Sequence, residues 1–555
     1  MKIFLLVFFV LLAGPSHAQS VSWNWGRQIG GTGADGASNT AIDAAGNTIQ
    51  VGTFSNAVTI GATTLTSLGD MALYLVKYNS QGQLVWARQA GDAPAPGSGI
   101  ASASGLSLTT DISGNIYVVG AFNGSVTFGS TTLNAPIGPA GGAVNSFVCK
   151  YSSAGSPIWA ILAGGPIRTE GYDIAVDNIS GNVVVAGSYL GSATFGNVTL
   201  VSQGDEDIFV AKYTNQGSLV WARSAGGAFP DYSNSLAIDN QSNIYLAGII
   251  QNAATFGSIT VFGYGSADAF IAKYDAQGTS QWANLYGGVG YDEAVQVTLD
   301  NNGGFYLVGD FEQSVAFAAI NLTSQGAGDG FVLRGTPQGN VTWAKQFSGP
   351  GDEAFLNVRL SGNGAVYLAG AFSSTIATFD NHPFNCAGGA DILLMRCDVN
   401  GNFVWGERGG GIANDIPAGL ACDATGGISV GSNFLGTTQY GPFSFASRGG
   451  ADAVILHLQD NTVTGYYSGI SLKAMSIYPN PAVSTSLVTL DLPAVGQHES
   501  ATIEIVTSTG NVVRLYNKPS LAEQVKIDLS GCSPGVYTII YKGANNVNAI
   551  KLILQ

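Results

Sequence analysis

Apolar and polar positions alternate along most of this chain in runs of seven or eight residues, broken by clusters of Asp, Asn and Gly. Residues 292–347 show the pattern clearly. "DEAVQVTL" predicts a strand, "DNNGG" a turn, "FYLVGDF" a second strand and "SVAFAAINL" a short extra strand. "DGFVLRG" predicts a third main strand, "TPQGN" a turn and "VTWAKQF" a fourth. Alternation with β-branched and aromatic residues marks the strands, and turn residues punctuate them. No segment sustains a helical period, so the expectation is four antiparallel main strands per unit.

The unit repeats. Trp25, Trp86, Trp159, Trp221, Trp282, Trp343 and Trp405 are spaced by 61, 73, 62, 61, 61 and 62 residues. The long interval contains "GDAPAPGSGIASAS" and "NAPIGPAGGA", which read as loop insertions. A lone four-stranded sheet exposes two apolar faces, so repeats of this kind must pack on one another. The ends of the repeat region settle how. "VSWNWGRQIG" is an opening strand without a hairpin partner, while the last repeat stops at "ADAVILHLQD", short of its tryptophan strand. Pairing the two closes a ring, which predicts an all-β, seven-bladed β-propeller of four-stranded blades whose seventh sheet holds the N-terminal strand. The alternative is an open β-solenoid.

Composition changes the picture at the margins. Charged residues are only 10%, Gly numbers 77, and the formal charge is −15. No basic stripe is visible, so nucleic acid is not an expected partner. "MKIFLLVFFVLLAGPSHAQS" reads as a secretory signal over residues 1–18, its apolar run too short for a membrane span, and nothing later approaches one. The five cysteines include no CxxC; Cys386 and Cys397 fall in one repeat, where a bridge between them is an option. Residues 21–460 are expected to form the propeller, 461–474 a linker, and 475–555 a small β-sandwich of alternating strands.

Three repeated acidic sets carry the candidate chemistry. Asp43, Asp111, Asp177, Asp239, Asp300 and Asp423 stand at the first turn, where a side-chain oxygen caps the backbone. Asp207, Asp268, Asp329, Asp391 and Asp452 precede the third strand, replaced by Ala72 and Asn145 in two repeats. A basic residue follows five positions later in each repeat (Lys77, Lys150, Lys212, Lys273, Arg334, Arg396, His457) and is expected to snorkel at the outer rim. Asp35, Glu170, Asp231, Asp292, Asp352 and Asp415 follow the Gly-Gly hinge and precede the innermost strand. A ring of such carboxylates at a channel mouth would focus negative potential, with Tyr232 and Tyr291 as stacking surface; loop-start capping is the plainer explanation. Only His382, His457 and His498 follow the signal, which leaves almost no histidine for a nucleophile–base pair. No phosphate cradle, metal motif or cofactor motif is present.

"W-A-x-x-x-G-G", "D-x-x-G-N-x-Y-x-x-G" (Asp111, Gly114, Asn115, Tyr117, Gly120) and "F-x-A-K-Y-x-x-x-G-x-x-x-W" resemble the seven-bladed β-propeller repeat families. The tryptophan motif is also similar to the docking motif of quinoprotein propellers, which implies that each indole packs against the neighbouring blade. An indole buries up to about 250 Å², worth about 2–3 kcal/mol. The chain has no adjacent cysteine pair, and the likeness covers only that structural hairpin.

Tyr478, Pro479, Asn480 and Pro481, a turn ending at Gly510, then Gly535-Val536-Tyr537 and a closing apolar strand resemble the type A sorting domain of the Bacteroidetes type IX secretion system. The resemblance implies that type IX machinery is a partner and that the protein passes through the periplasm to the outer surface or beyond. The leading expectation is a secreted or cell-surface propeller that binds a glycan or a protein without catalysis. A polysaccharide hydrolase or lyase using channel carboxylates, and a structural surface or adhesion component, are the alternatives.

Overall fold

The computed structural model describes residues 20–91, 102–136, 138, 142–300, 302–362 and 364–462. Of the C-terminal part it describes residues 476–478, 487–491, 501–507, 512–518, 524–530, 532–542 and 547–554. The signal, most of the "GDAPAPGSGIASAS" insertion, part of "NAPIGPAGGA", Pro479, Asn480, Pro481, His498 and Gly510 lie outside the described residues. The chain divides into two units, 1–463 and 464–555.

The first unit is a seven-bladed propeller of four-stranded antiparallel blades. From blade 1 to blade 7 the inner strands are Asp35–Ile42, Ser102–Thr110, Arg168–Val176, Tyr232–Ile238, Asp292–Leu299, Glu353–Leu360 and Asp415–Cys422. Each touches the inner strands of both neighbouring blades, which makes a closed circuit. The predicted closure is present: Val21–Gly31 is the outer strand of blade 7, paired antiparallel to Asp452–Asp460 from Val21 opposite Asp460 to Ile29 opposite Ala453.

Blade 4 shows why these residues make this sheet. Its strands are Tyr232–Ile238, Ile244–Ile250, Asp268–Tyr274 and Ser280–Tyr286. Ile244–Ile250 is buried on both faces, because each blade is sandwiched between two others. Tyr245, Lys273 and Trp282 stand side by side across the three outer strands, with the ammonium 4.7 Å from the tyrosine ring and the indole edge-on to it. Asp239, at the first turn, pairs with Lys273. The same pairing joins Lys77 to Asp43 at 2.7 Å and Lys212 to Asp177 at 3.2 Å, and both lysines are buried. In these blades the basic position therefore does not reach the outer rim as the sequence predicts; the turn aspartate holds it inside. Burial works against ionisation of Asp43, yet Lys77 and Asn47 hold its carboxyl below the usual range.

The tryptophans dock as expected. Six indole N–H groups donate to a carbonyl in the third-to-fourth turn of the next blade: Trp25 to Ser80, Trp86 to Ser153, Trp159 to Asn215, Trp221 to Ala276, Trp282 to Pro337 and Trp343 to Val399. A glycine in each receiving turn lies against the indole; Gly278 has φ +76°, and a Cβ there would meet Trp221 at 3.0 Å. Only glycine offers both that conformation and that approach.

The extra strand of the sequence reading is a hairpin. In blade 5 it comprises Ser314–Phe317 and Ile320–Thr323. Such a hairpin leaves each blade between its second and third strands, and in five blades it adds to the outer strand of the preceding blade. This stitching covers outer edges that would otherwise be open.

In the second unit, 476–478, 487–491 and 524–528 form one sheet, and 501–507, 512–518, 535–542 and 547–554 another. Val488, Leu490, Ile527, Ile503, Ile539 and Leu552 from both sheets share one core.

Trp405 is the exception that tests the docking. Its N–H has no partner among the described residues, because in blade 7 no turn joins the third strand, Asp452–Asp460, to the fourth, Val21–Gly31. Trp282→Phe is expected to cost about 1 kcal/mol more than Trp405→Phe, measured as the difference in urea unfolding midpoints. Equal losses would show that the indole hydrogen bond contributes nothing.

Candidate functional site

The third acidic set divides when its residues are placed. Asp35, Asp231, Asp292 and Asp415 are fully buried at the seams between blades. The residues aligned with them in blades 3 and 6 are Thr169 and Glu353 rather than Glu170 and Asp352; the backbone N–H at each of these positions donates to the blade before it. Each seam acid of this set faces one from the set preceding the third strand: Asp35 with Asp452, Asp231 with Asp207, Asp292 with Asp268, Glu353 with Asp329 and Asp415 with Asp391. In the remaining two seams both acids are absent together, leaving Ala72 with Ala103 and Asn145 with Thr169.

The Gly-Gly pair is the seat of this arrangement. A Cβ on Gly287 would fall 1.7 Å from Asp268 Oδ1, and one on Gly288 would fall 1.8 Å from the Ser314 carbonyl of the stitching hairpin. Gly288 N–H donates to Asp292 Oδ2 at 2.7 Å, and Tyr264 N–H donates to Asp268 Oδ2 at 2.8 Å. Burial, ahead of the neighbouring charge, pushes Asp292 and Asp231 up to about 7. Asp35 and Asp207 rise to about 6 for the same first reason. Four of the eight candidate residues are thus seam groups closed off from solvent.

Glu170, Tyr232 and Tyr291 do come together. The residue after each seam position is half-buried between buried neighbours, on the axis side of the inner strand. From blade 1 to blade 7 these residues are Gly36, Ser104, Glu170, Tyr232, Glu293, Ala354 and Ile416. Large polar side chains occupy this level only in blades 3, 4 and 5. Arg168 bridges Glu170 and Glu206 at 2.9 and 3.2 Å, and Tyr172 donates to Glu170 at 2.8 Å. Glu293 accepts from Asn234 Nδ2 at 2.7 Å and from the Tyr291 hydroxyl at 3.2 Å.

Asp310 stands directly across the ladder from Glu293. Burial first, then the negative charge of Glu293 and its neighbours, pushes Asp310 up to about 8. Glu293 is also raised by burial, against the hydrogen bonds from Tyr291 and Asn234. Asp352 is exposed close by and adds to the charge felt by Asp310. Sequence reasoning missed Arg168, Tyr172, Glu206, Asn234, Glu293 and Asp310. The departure of Glu170, Tyr232 and Glu293 from the small residues of other repeats was the available signal.

No group of three or more His, Cys, Asp or Glu among the described residues is arranged to hold a metal ion. All five cysteines are free, so Cys386 and Cys397 are not bridged. No helix among the described residues is long and apolar enough to cross a membrane. In the second unit Tyr478 ends a strand, Gly535 opens another, and Tyr537 is buried with its hydroxyl donating to Ser533 at 2.7 Å.

Fold and tail together define a class: a β-propeller carried to the cell surface or beyond by a sorting tail. Residues 476–555 match the secretion system C-terminal sorting domain family, the tail read by the type IX system. The chain is 25% identical over 201 residues to an uncharacterised WD repeat-containing protein of Acanthamoeba polyphaga mimivirus, covering 30% of this chain and 14% of that one. It is 26% identical over 214 residues to the regulatory protein FlaEY of Caulobacter vibrioides, covering 36% and 22%. The chain therefore spans less than a quarter of the length of these relatives. A solved structure from Bacteroides vulgatus, a member of the duf4221 family, is 10% identical with a TM-score of 0.28, covering 63% of this chain and 93% of that one.

Two outcomes follow from the placement of these groups. Deleting residues 476–555 is expected to leave the propeller inside the cell; unchanged appearance at the surface or in the medium, by fractionation, would exclude the tail from sorting. The seam acids fix a pH dependence. With folded values above the unfolded ones, they contribute stability that is complete below about pH 4 and is lost as pH rises through about 6–7. The melting temperature is expected to fall between pH 4.5 and 7.5. The double change Asp268→Ala with Asp292→Ala, which copies the Ala72–Ala103 seam, should flatten that slope by roughly one fifth.

Proposed function

We propose that the propeller is a non-catalytic recognition module whose ligand, a glycan or a protein, is held at the channel mouth formed by blades 3, 4 and 5. The observation that supports this is the localised break in symmetry. Seam acids, docking tryptophans and turn aspartates recur around the ring, as architecture requires. At the axis-facing level, by contrast, three adjacent blades supply Glu170, Tyr232 and Glu293 while the other four supply glycine, serine, alanine and isoleucine. The mouth is thus a crescent: large polar and aromatic side chains on one side of the axis, and small or aliphatic ones on the other. Tyr172 and Asn234 hold two of the carboxylates in place from beneath, so the surface is preorganised.

A second reading, an extracellular polysaccharide hydrolase or lyase, is favoured by one feature, the Glu293–Asp310 pair. A carboxyl raised to about 8 is protonated at neutral pH and can act as a general acid.

The secreted protein, tested on glycan and surface-protein arrays, is expected to give saturable binding. Tyr232→Ala combined with Glu293→Gln should weaken it about tenfold or more at unchanged melting temperature. Ile112→Ala, in an exposed turn at the opposite end of the propeller, should leave it intact. Loss of binding in the Ile112 variant alone would place the site elsewhere. Turnover of a polysaccharide that vanishes in Glu293→Gln would decide for the enzyme.

A further inference from the structure

We infer that the ligand of this mouth is a protein, presented as a loop whose tip is a lysine or arginine flanked by apolar residues. The inference rests on the recognition reading above and narrows it. Two independent features carry it: an uncompensated set of carboxyls inside the mouth, and an apolar rim around the same blades.

Of the carboxyls that surround the mouth, Glu170 and Glu206 share the single guanidinium of Arg168. Glu293, Asp310, Glu312 and Asp352, on the side of blades 5 and 6, form no salt bridge among the described residues. Glu293 is held by Asn234 and Tyr291, and Glu312 accepts from the Tyr291 backbone N–H. Asp310 is different: it is half-buried, it faces Glu293 across the ladder, and among the described residues its carboxyl has neither a hydrogen bond nor an ion pair. The charge around this unpartnered carboxyl is all of its own sign, which is unfavourable. Asp310 is protonated at neutral pH while the mouth is empty; an ammonium or guanidinium group entering above Ala354 would meet Asp310 and Glu293 together and favour their ionised forms. Deeper entry is opposed by Arg359, five residues further along the same inner strand and inside the channel.

The rim lies in the connections between one blade and the next. Ile167, Phe229 and Val289 are 43%, 48% and 68% exposed in the loops that lead into blades 3, 4 and 5. Tyr264, 64% exposed, belongs to a neighbouring loop that touches Val289, since a Cβ on Gly265 would fall 2.7 Å from it. Ile167 and Val289 add aliphatic surface, which offers no sugar-stacking plane, beside the rings of Phe229 and Tyr264, and the acidic mouth repels acidic glycans. An apolar rim around unpartnered carboxyls suits a protein anchor.

The test selects cyclic peptides from a displayed random library on the full-length secreted protein, with counter-selection on Asp310→Asn. The expected result is enrichment of Lys or Arg at one position with Leu, Ile, Val or Phe beside it. Peptides so selected should bind at least tenfold more weakly to Asp310→Asn and several-fold more weakly to Val289→Ser, each variant melting within about a degree of the parent. Norleucine in place of the basic residue should abolish binding, and raised salt should weaken it. Selected peptides without a basic residue, or with equal affinity for Asp310→Asn, would overturn the inference. Chitosan oligosaccharides form the second arm. If they bind in an Asp310-dependent way and no peptide does, the mouth takes an amino sugar, and the recognition reading survives while this one falls. If neither binds and Tyr232→Ala with Glu293→Gln alters no array signal, both fall.

Discussion

The propeller depends on one contact repeated around the ring, the indole of each blade seated on a glycine turn of the next. A four-stranded sheet with its second and third strands buried on both faces has no stability alone, so every blade needs two neighbours. The indole meets that need from the outer strand, where the sheet is widest and the blades diverge most. It brings a large apolar area and one N–H, and the turn supplies a carbonyl and the absence of a Cβ. The turn aspartate, the buried lysine and the tyrosine of the second strand serve the same contact by fixing the row in which the tryptophan stands. Trp25 extends the series across the chain ends, and Trp405 is where it runs out, beside Asp460 at the end of the third strand of blade 7.

The seam acids answer a different demand. Where an outer strand leaves one blade for the inner strand of the next, the chain must turn sharply beside a stitching hairpin, and both glycines are taken up by close approaches. One oxygen of each carboxyl closes a loop by accepting backbone N–H groups, while several of the other oxygens remain buried without a partner. Burial first, and then the charge of the facing acid, holds Asp35, Asp231 and Asp292 toward the protonated form. The joint absence of both acids from two seams fits the same physics: with Ala72 facing Ala103, a lone acid would have loop closure on one side only.

How legible all this was in the sequence depended on whether a feature recurs at constant spacing. Tryptophans, turn aspartates and ring closure recur, and the structure has them where the spacing puts them. The hairpin was read as a single strand because its turn is disguised in the copy that best shows the other elements. Ala318 there adopts φ +55°, where other copies have Gly61, Gly129, Gly196, Gly257 and Gly441. A strand read alone offers Lys77 and Lys212 no partner and leaves them the rim, whereas Asp43 and Asp177 reach them from a turn. The third acidic set slipped by one residue in two blades, since Glu170 and Asp352 are acids adjacent to the aligned Thr169 and Glu353. Asn234 and Glu293, which meet across two blades, are 59 residues apart and match no repeat.

That last difficulty points to why recognition would sit at the mouth. On each inner strand, alternate residues are committed to seams: they are buried, and their size is set by the neighbouring blade. The residues between them face the axis, where the ring leaves space and no neighbouring sheet limits their volume. Gly36, Tyr232 and Ile416 occupy the same level without any change in the path of the strand that carries them. Substitution there is cheap for the fold and consequential for whatever enters the channel. A ring stabilised by repetition can therefore carry a specific surface only where repetition is not required, and blades 3, 4 and 5 depart from one another at that level.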